Sequence, residues 1–231
     1  MCQSRQQAGR TAVPTTNNTS RISQRRKAAI AEGGPEYAAK RAKLVQTAAV
    51  VFREKGYTTA TLNDVAERFG TDRASLYYYV GSKEDLLYEC ISTVLDANLE
   101  QGRRIAAGPG TVREKLTELV TLTLKSYEEH YPYAFVYIQE DMSHIAGRST
   151  EWAEELVGKT HEFERLAFDL VSAGIQAGEF RSDLPTGLVT NGLFGMMNWT
   201  HRWFVPGHSK HDAAEIAGTF LSIFLDGMAR T

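Results

Sequence analysis

The chain has 231 residues, 42% of them hydrophobic and 23% charged, enough apolar mass for one large domain or two modest ones with real cores. Its two cysteines, Cys2 and Cys90, are too few and too far apart for a disulfide framework or a thiolate zinc cluster, and they suit a reducing compartment. No stretch of about 18 residues is both free of charge and predominantly apolar, and the N-terminus MCQSRQQAGRTAV lacks an apolar core, so neither a membrane span nor a secretory signal is expected and the expected location is the cytoplasm.

The net charge of −2 hides a polarity, because residues 1–83 carry 14 Lys and Arg against 6 Asp and Glu, whereas residues 84–231 carry 12 against 22. A basic front suits a polyanion and an acidic back does not, although a basic tail on an ordinary acidic domain gives the same numbers. Residues 1–35 hold Arg5, Arg10, Arg21, Arg25, Arg26 and Lys27 among Gln, Ser, Thr and Gly, with too little apolar surface to offset their own ordering, and read as a flexible basic arm.

From Glu36 the apolar residues Ala42, Val45, Ala49 and Phe52 recur at spacings of three and four, predicting a first helix over 36–55 that ends at Gly56. A second, short helix follows in TLNDVAERFG, with Thr61 and Asp64 in the places of a capping box and Gly70 as its stop. Thr71 is the expected cap of a third helix through about Tyr79, and Ser82 with Asp85 repeats the capping arrangement at the head of a fourth that reaches about residue 106. After AAGPG, helical periodicity continues nearly to the end, interrupted by turn signals at 130–132, 146–149, 181–185 and 205–209. Strand alternation is absent apart from YPYAFVYI, which helical spacing explains as well, so the fold class is all-α.

The second and third helices, joined by a tight turn at Gly70 and Thr71, have the layout of a helix-turn-helix. Leu76 and Val80 then point into a small core, leaving Tyr77 and Tyr78 outward beside Arg73 and Ala74. Exposed phenols can donate to phosphates and fix the register of a reading helix, while Tyr79 is placed at the rim of the core. Lys83, at the head of the fourth helix, adds a cation where a helix N-terminus already favours phosphate. Three tyrosines packing an ordinary helical hairpin is the plainer alternative.

These residues carry a family likeness. The stretch VVFREKGYTTATLNDVAERFGTDRASLYYYVGSKEDLL resembles the DNA-binding segment of TetR-family transcriptional repressors, through F-x-x-K-G-Y at 52–57, T-L-x-D-V-A, L-Y-Y-Y and S-K-E-D-L. The resemblance implies an N-terminal three-helix DNA-binding domain over 36–82 and a helical effector-binding and dimerisation domain over 83–231. It further implies a homodimer that binds double-stranded DNA at a palindromic operator and leaves it when a small effector binds. Carried over by position, the DNA contacts are Thr59, Thr61, Thr71, Arg73, Ala74, Tyr77, Tyr78 and Lys83. Arg73 is the candidate base contact, since a guanidinium is well shaped for guanine. Asp72 and Arg73 depart from the small and basic residues usual there, so no operator sequence transfers.

Beyond residue 110 lie 15 of the 23 aromatics, enough to line an apolar cavity, although aromatics at helical spacing are most often simply core. The candidate ligand residues are Tyr137, Phe168, Asn198, Trp199, Arg202 and Trp203, a mixture that suits an apolar ligand with an anionic or carbonyl end. Arg202 reads equally as a surface residue lying over Trp199. The segment NWTHRWF is similar to one in actinobacterial TetR-type regulators of lipid or steroid catabolism, which makes an acyl-CoA or steroid-derived acid the effector class that the resemblance implies. The last helix, about 211–229, carries Ile216, Phe220, Ile223 and Gly227 on one stripe with Ala217, Phe224 and Met228 beside it, more apolar surface than one neighbour buries, and is expected to pair across a dimer axis, where with helix 184–204 it gives a four-helix interface.

Two readings from other classes stand beside this one. A His-based metalloenzyme would use His201, His208, His211 and Asp212, but their spacing matches no helical ligand pattern, and the nucleophile elbow, P-loop and dinucleotide fingerprint are missing from the sequence, so neither an enzyme nor a cofactor or metal is expected. An architectural protein would bind DNA without sequence preference through the basic arm.

Overall fold

The computed structural model describes residues 34–139 and 151–229; the basic arm up to residue 33 and the turn expected at 146–149 lie outside them. The described residues form nine α-helices: α1 (Pro35–Lys55), α2 (Leu62–Phe69), α3 (Arg73–Leu76), α4 (Lys83–Ala107), α5 (Val112–Glu129), α6 (Tyr133–Gln139), α7 (Glu151–Gln176), α8 (Thr186–Trp199) and α9 (Ala213–Met228). A 3₁₀ turn, Thr200–Arg202, extends α8, and a single bridge joins Phe180 to Ala229. The all-α class expected from the sequence is the fold found.

The helix-turn-helix is set by local chemistry. Thr61 accepts the Asp64 N–H and the Asp64 carboxylate accepts the Thr61 N–H, a reciprocal capping box. Gly70, at φ 81°, closes α2 in the left-handed region that a side chain would strain. The third helix differs from expectation in both ends. The Thr71 N–H is already bonded to the Ala66 carbonyl at 3.0 Å, so Thr71 finishes α2, and Asp72 caps α3 by accepting the Ser75 N–H at 2.8 Å. Helical bonding then stops at Leu76, and residues 77–79 tighten into a turn in which Tyr78 N–H reaches Ser75 O and Tyr79 N–H reaches Leu76 O. At α4, Ser82 accepts the Asp85 N–H as expected, but the Asp85 carboxylate takes the N–H of Gly81 at 3.1 Å, so its half of the box is displaced by one residue.

Two apolar clusters make the core. One joins Leu44 and Phe52 of α1, Val65 of α2, Leu76, Val80, and Leu86 to Ile91 of α4, and extends to Val136 of α6 and Leu156 of α7. The other joins Leu116 and Leu124 of α5, Val171 of α7, Leu193 and Met197 of α8, and Ile216 and Phe224 of α9. Helix α4 contributes to both, through Leu86, Leu87 and Leu95 at its start and Leu99 farther along, and is a continuous rod between head and body. The apolar stripe expected on the last helix divides: Ile216, Ala217, Phe224 and Met228 are buried in the protomer's own core, while Ile223 faces outward at 60% exposure.

Candidate DNA interface and effector cavity

On the head, an open groove of about 430 Å³ lies between the N-terminus of α2, helix α3 and the N-terminus of α4. It brings together four of the eight expected DNA residues, Thr61, Arg73, Tyr77 and Lys83, and adds Asn63, which the sequence reading passed over. Arg73 is exposed and its guanidinium donates to the Tyr77 hydroxyl at 3.0 Å while lying 5.7 Å from that ring. This i, i+4 pair holds the candidate base-reading group upright on α3. Thr59 and Ala74 are also exposed, Thr71 is half-buried, and the Thr61 hydroxyl is occupied by the capping box.

The three tyrosines part company. Tyr77 turns to Arg73, whereas Tyr78, 42% exposed, meets Tyr37 of α1 edge-on at 5.4 Å between ring centroids, and Tyr79 stacks on Tyr37 at 5.2 Å. Tyr37, a residue the sequence reading missed, thus ties the first turn of α1 to the end of the reading helix. Its signal was one aromatic in an otherwise small-residue helix start, YAAK.

Lys83 is placed differently from the expectation of a phosphate ligand. Its ammonium donates to the carbonyls of Tyr57 at 2.7 Å and Ala60 at 2.9 Å, with Thr58 at 3.4 Å, and sits 4.4 Å from the centroid of the Tyr57 ring. The carbonyls just beyond the end of α1 point at this spot, so the strongest local acceptors are protein ones, and Lys83 fastens the start of α4 to the α1–α2 loop.

In the body, a cavity of about 30 Å³ lies where α4, α5, α6, α7 and α8 meet. Its walls mix Phe163 and Phe194 with Asn98, Thr123, Tyr127, Tyr137, Thr160, Glu164 and Asn198. The Tyr127 hydroxyl donates to Asn198 Oδ1 at 2.7 Å, and the Tyr137 hydroxyl to Thr160 Oγ1 at 3.3 Å. Burial pushes both phenols' pKa upward, so they stay protonated donors. Tyr127 also forms part of a second, apolar cleft with Tyr131, Phe135, His201 and Phe204, and its bond to Asn198 stands between the two spaces.

Of the six candidate ligand residues, only Tyr137 and Asn198 line the cavity. Phe168, Trp199, Arg202 and Trp203 are on the surface of the protomer, Trp199 at 58% exposure, and the Arg202 guanidinium lies 4.6 Å from the centroid of the Trp199 ring, the alternative placement considered for it. The misplacement has a local cause: Leu193, Met197, Thr200 and Phe204 recur at spacings of four, three and four and form the inward face, which leaves Trp199 and Trp203 on the outward side. The histidines are dispersed as well. His201 Nδ1 lies 2.6 Å from the Asn198 carbonyl, His211 faces Glu215, and Asp212 caps α9; among the described residues no group of three or more His, Cys, Asp or Glu could hold a metal ion.

Comparison with known proteins agrees with both halves. Residues 44–90 match bacterial regulatory proteins of the tetR family, and residues 109–228 match the tetracyclin repressor-like C-terminal domain. The HTH-type transcriptional repressor KstR2 of Rhodococcus jostii is 31% identical over 82% of this chain and 91% of its own. The structure of the ketosteroid transcriptional regulator KstR2 of Mycobacterium tuberculosis superposes with a TM-score of 0.77 at 26% identity, covering 83% of this chain and 95% of that one. The FadR regulator of Bacillus subtilis shares the fold at 20% identity, with a TM-score of 0.62 over 80% of this chain and 97% of its own. Among the described residues no helix is long and apolar enough to cross a membrane. With a capped reading helix on a head joined by α4 to a helical body, and with both halves matched, the chain belongs to the TetR family of transcriptional regulators and is a TetR-type repressor.

Proposed function

We propose that this repressor works in the cytoplasm as a homodimer, lays α3 of each protomer in successive major grooves of a palindromic operator, and releases it when an acyl-CoA thioester or related lipid-derived ligand enters the body. The observation that carries the DNA half is the exposure of Arg73 and Ala74 on one turn of helix, with Tyr77 and Tyr78 immediately after it. Arg73 supplies the base contact, the two phenols and Thr59 supply phosphate contacts, and Lys83 acts by positioning the loop.

For the dimer, the support is an outward face on α8 and α9 bearing Leu188 at 70% exposure and Ile223 at 60%, with Gly192, Gly195, Gly218 and Gly227 leaving room for close approach. Two heads so joined would stand about one turn of DNA apart, ~34–36 Å. The ligand class rests on the likeness of NWTHRWF and on the aromatic walls around Tyr127; the FadR of Bacillus subtilis was solved with stearoyl-CoA.

Selecting bound fragments from the genomic DNA of the source organism, at fixed ionic strength and with or without octanoyl-CoA, tests the reading. Enrichment of one palindrome, lost on adding the thioester, is expected. Uniform retention of all fragments would instead identify an architectural binder, and enrichment insensitive to a panel of acyl-CoA esters would remove the effector class.

A further inference from the structure

Asn98 is an anomaly of the body. It is 7% exposed, sits on α4, lines the 30 Å³ cavity, and its amide has no hydrogen-bond partner among the described residues. The amide is not sealed off: it opens onto the cavity, which has room for about one water to pair with it and which a ligand acceptor could take over.

The neighbouring polar groups show what would pair with it. Every hydroxyl on the cavity wall has already given its proton away: Thr123 to the Leu119 carbonyl, Thr160 to the Leu156 carbonyl, Tyr127 to Asn198 and Tyr137 to Thr160. The donors left are the amide nitrogens of Asn98 and Asn198. Among the lining residues Glu164 is the one acid and there is no cation, so a carboxylate would enter unpaired and against a like charge. A neutral acceptor on an apolar body is the chemistry that fits.

We propose that Asn98 is the positioning residue through which the effector acts on DNA affinity: its amide donates to the thioester carbonyl oxygen, and because it lies on α4 the bond pulls on the rod that Lys83 fastens to the head. This rests on the acyl-CoA reading given above. Entry requires the Tyr127–Asn198 hydrogen bond to open and the body helices to part, because the cavity of about 30 Å³ and the cleft beside Phe135 of about 10 Å³ are each too small for an acyl chain. Fifteen residues of helix, about 22 Å, separate Asn98 from Lys83.

The test compares octanoyl-CoA with its S-octyl thioether, identical but for the carbonyl oxygen, on the wild type and on Asn98→Leu, reading both ligand affinity and operator release. Leucine fills the site without a polar group, so folding and operator binding are expected to persist, with Asn98→Ala as a second, smaller variant that lacks the donor. The wild type is expected to prefer the thioester by 10-fold or more, and both variants to bind the two ligands alike and stay on the operator. If the variants discriminate as the wild type does, Asn98 is not the sensor and the acyl-CoA reading survives. If the wild type binds neither ligand, that reading and this inference fall together.

Discussion

Replacing Lys83 by methionine separates the two roles this residue could have. The ammonium makes two short hydrogen bonds to main-chain carbonyls, at 2.7 and 2.9 Å, in part-buried surroundings. Hydrogen bonds to charged groups are worth roughly 1.5–3 kcal/mol when wholly lost, and the cation over the Tyr57 ring adds about 0.5–1 kcal/mol. Water can re-enter at the half-exposed edge, and removing a cation from the first turn of α4 returns about 0.3–1 kcal/mol from the helix dipole. The net expected loss is about 2–3 kcal/mol, or at ~2–4 °C per kcal/mol a melting point lowered by roughly 4–12 °C. A phosphate ligand would behave differently: the melting point would hold, and the slope of log affinity against log salt would shrink by about 0.9 for each contact removed. Thermal melts and operator binding by fluorescence anisotropy between 50 and 200 mM salt distinguish the two. An unchanged melt with a shallower salt slope would refute the fastening role.

Further outcomes follow from the same geometry. Glutamate at both Leu188 and Ile223 should yield folded monomers by light scattering that bind operator weakly, since these side chains are exposed in the protomer and covered only in the proposed dimer. Gly174→Ala should lower stability by about 1–3 kcal/mol in urea titrations, because a Cβ there would lie 2.3 Å from the buried Phe180 ring. Deleting residues 1–33, which hold six cations, should flatten the salt dependence of DNA binding without moving the melting point of the head. Acid should weaken the head: hydrogen bonding from Lys55 and Thr61 holds the Asp64 carboxyl far below its usual range, and the Ser75 N–H and hydroxyl lower that of Asp72. Both folded pKa values lie below the unfolded ones, so their stabilisation is full above about pH 4 and is lost as the pH falls through the folded values. Asp72→Asn, which keeps the cap, should flatten that acid limb in melts from pH 7 to 2.

What the sequence made legible was chemistry between near neighbours. Thr61 with Asp64, Gly70, and the inward pair Leu76 and Val80 act over three or four residues, and each behaves as its spacing says. Thr71 and Asp72 compete for one cap, and the choice fell to Asp72 because a carbonyl five residues earlier had claimed the Thr71 N–H. Lys83 could not be read, since its partners lie 23 to 26 residues back and only packing of α1 against α4 brings them near. Asn98 sits among Asp96, Glu100 and Gln101, where a polar residue reads as solvent-facing until α5, α7 and α8 close over it. Aromatic richness told that the body holds an internal space without telling which rings face it, because composition does not separate Phe204, on the inward face with Leu193, Met197 and Thr200, from the outward Trp199 and Trp203.

Only Leu76, of the four residues in α3, is buried in the core. The capping pair Asp72 and Ser75 fixes where the turn begins, the Arg73 side chain is bonded only to its neighbour Tyr77, and Ala74 stands exposed. On the proposed reading, retargeting this regulator to a new promoter demands changes at positions that cost the fold little, while the body is inherited untouched. A lineage built on such a head can duplicate and diverge in which genes it governs long before it diverges in what it detects.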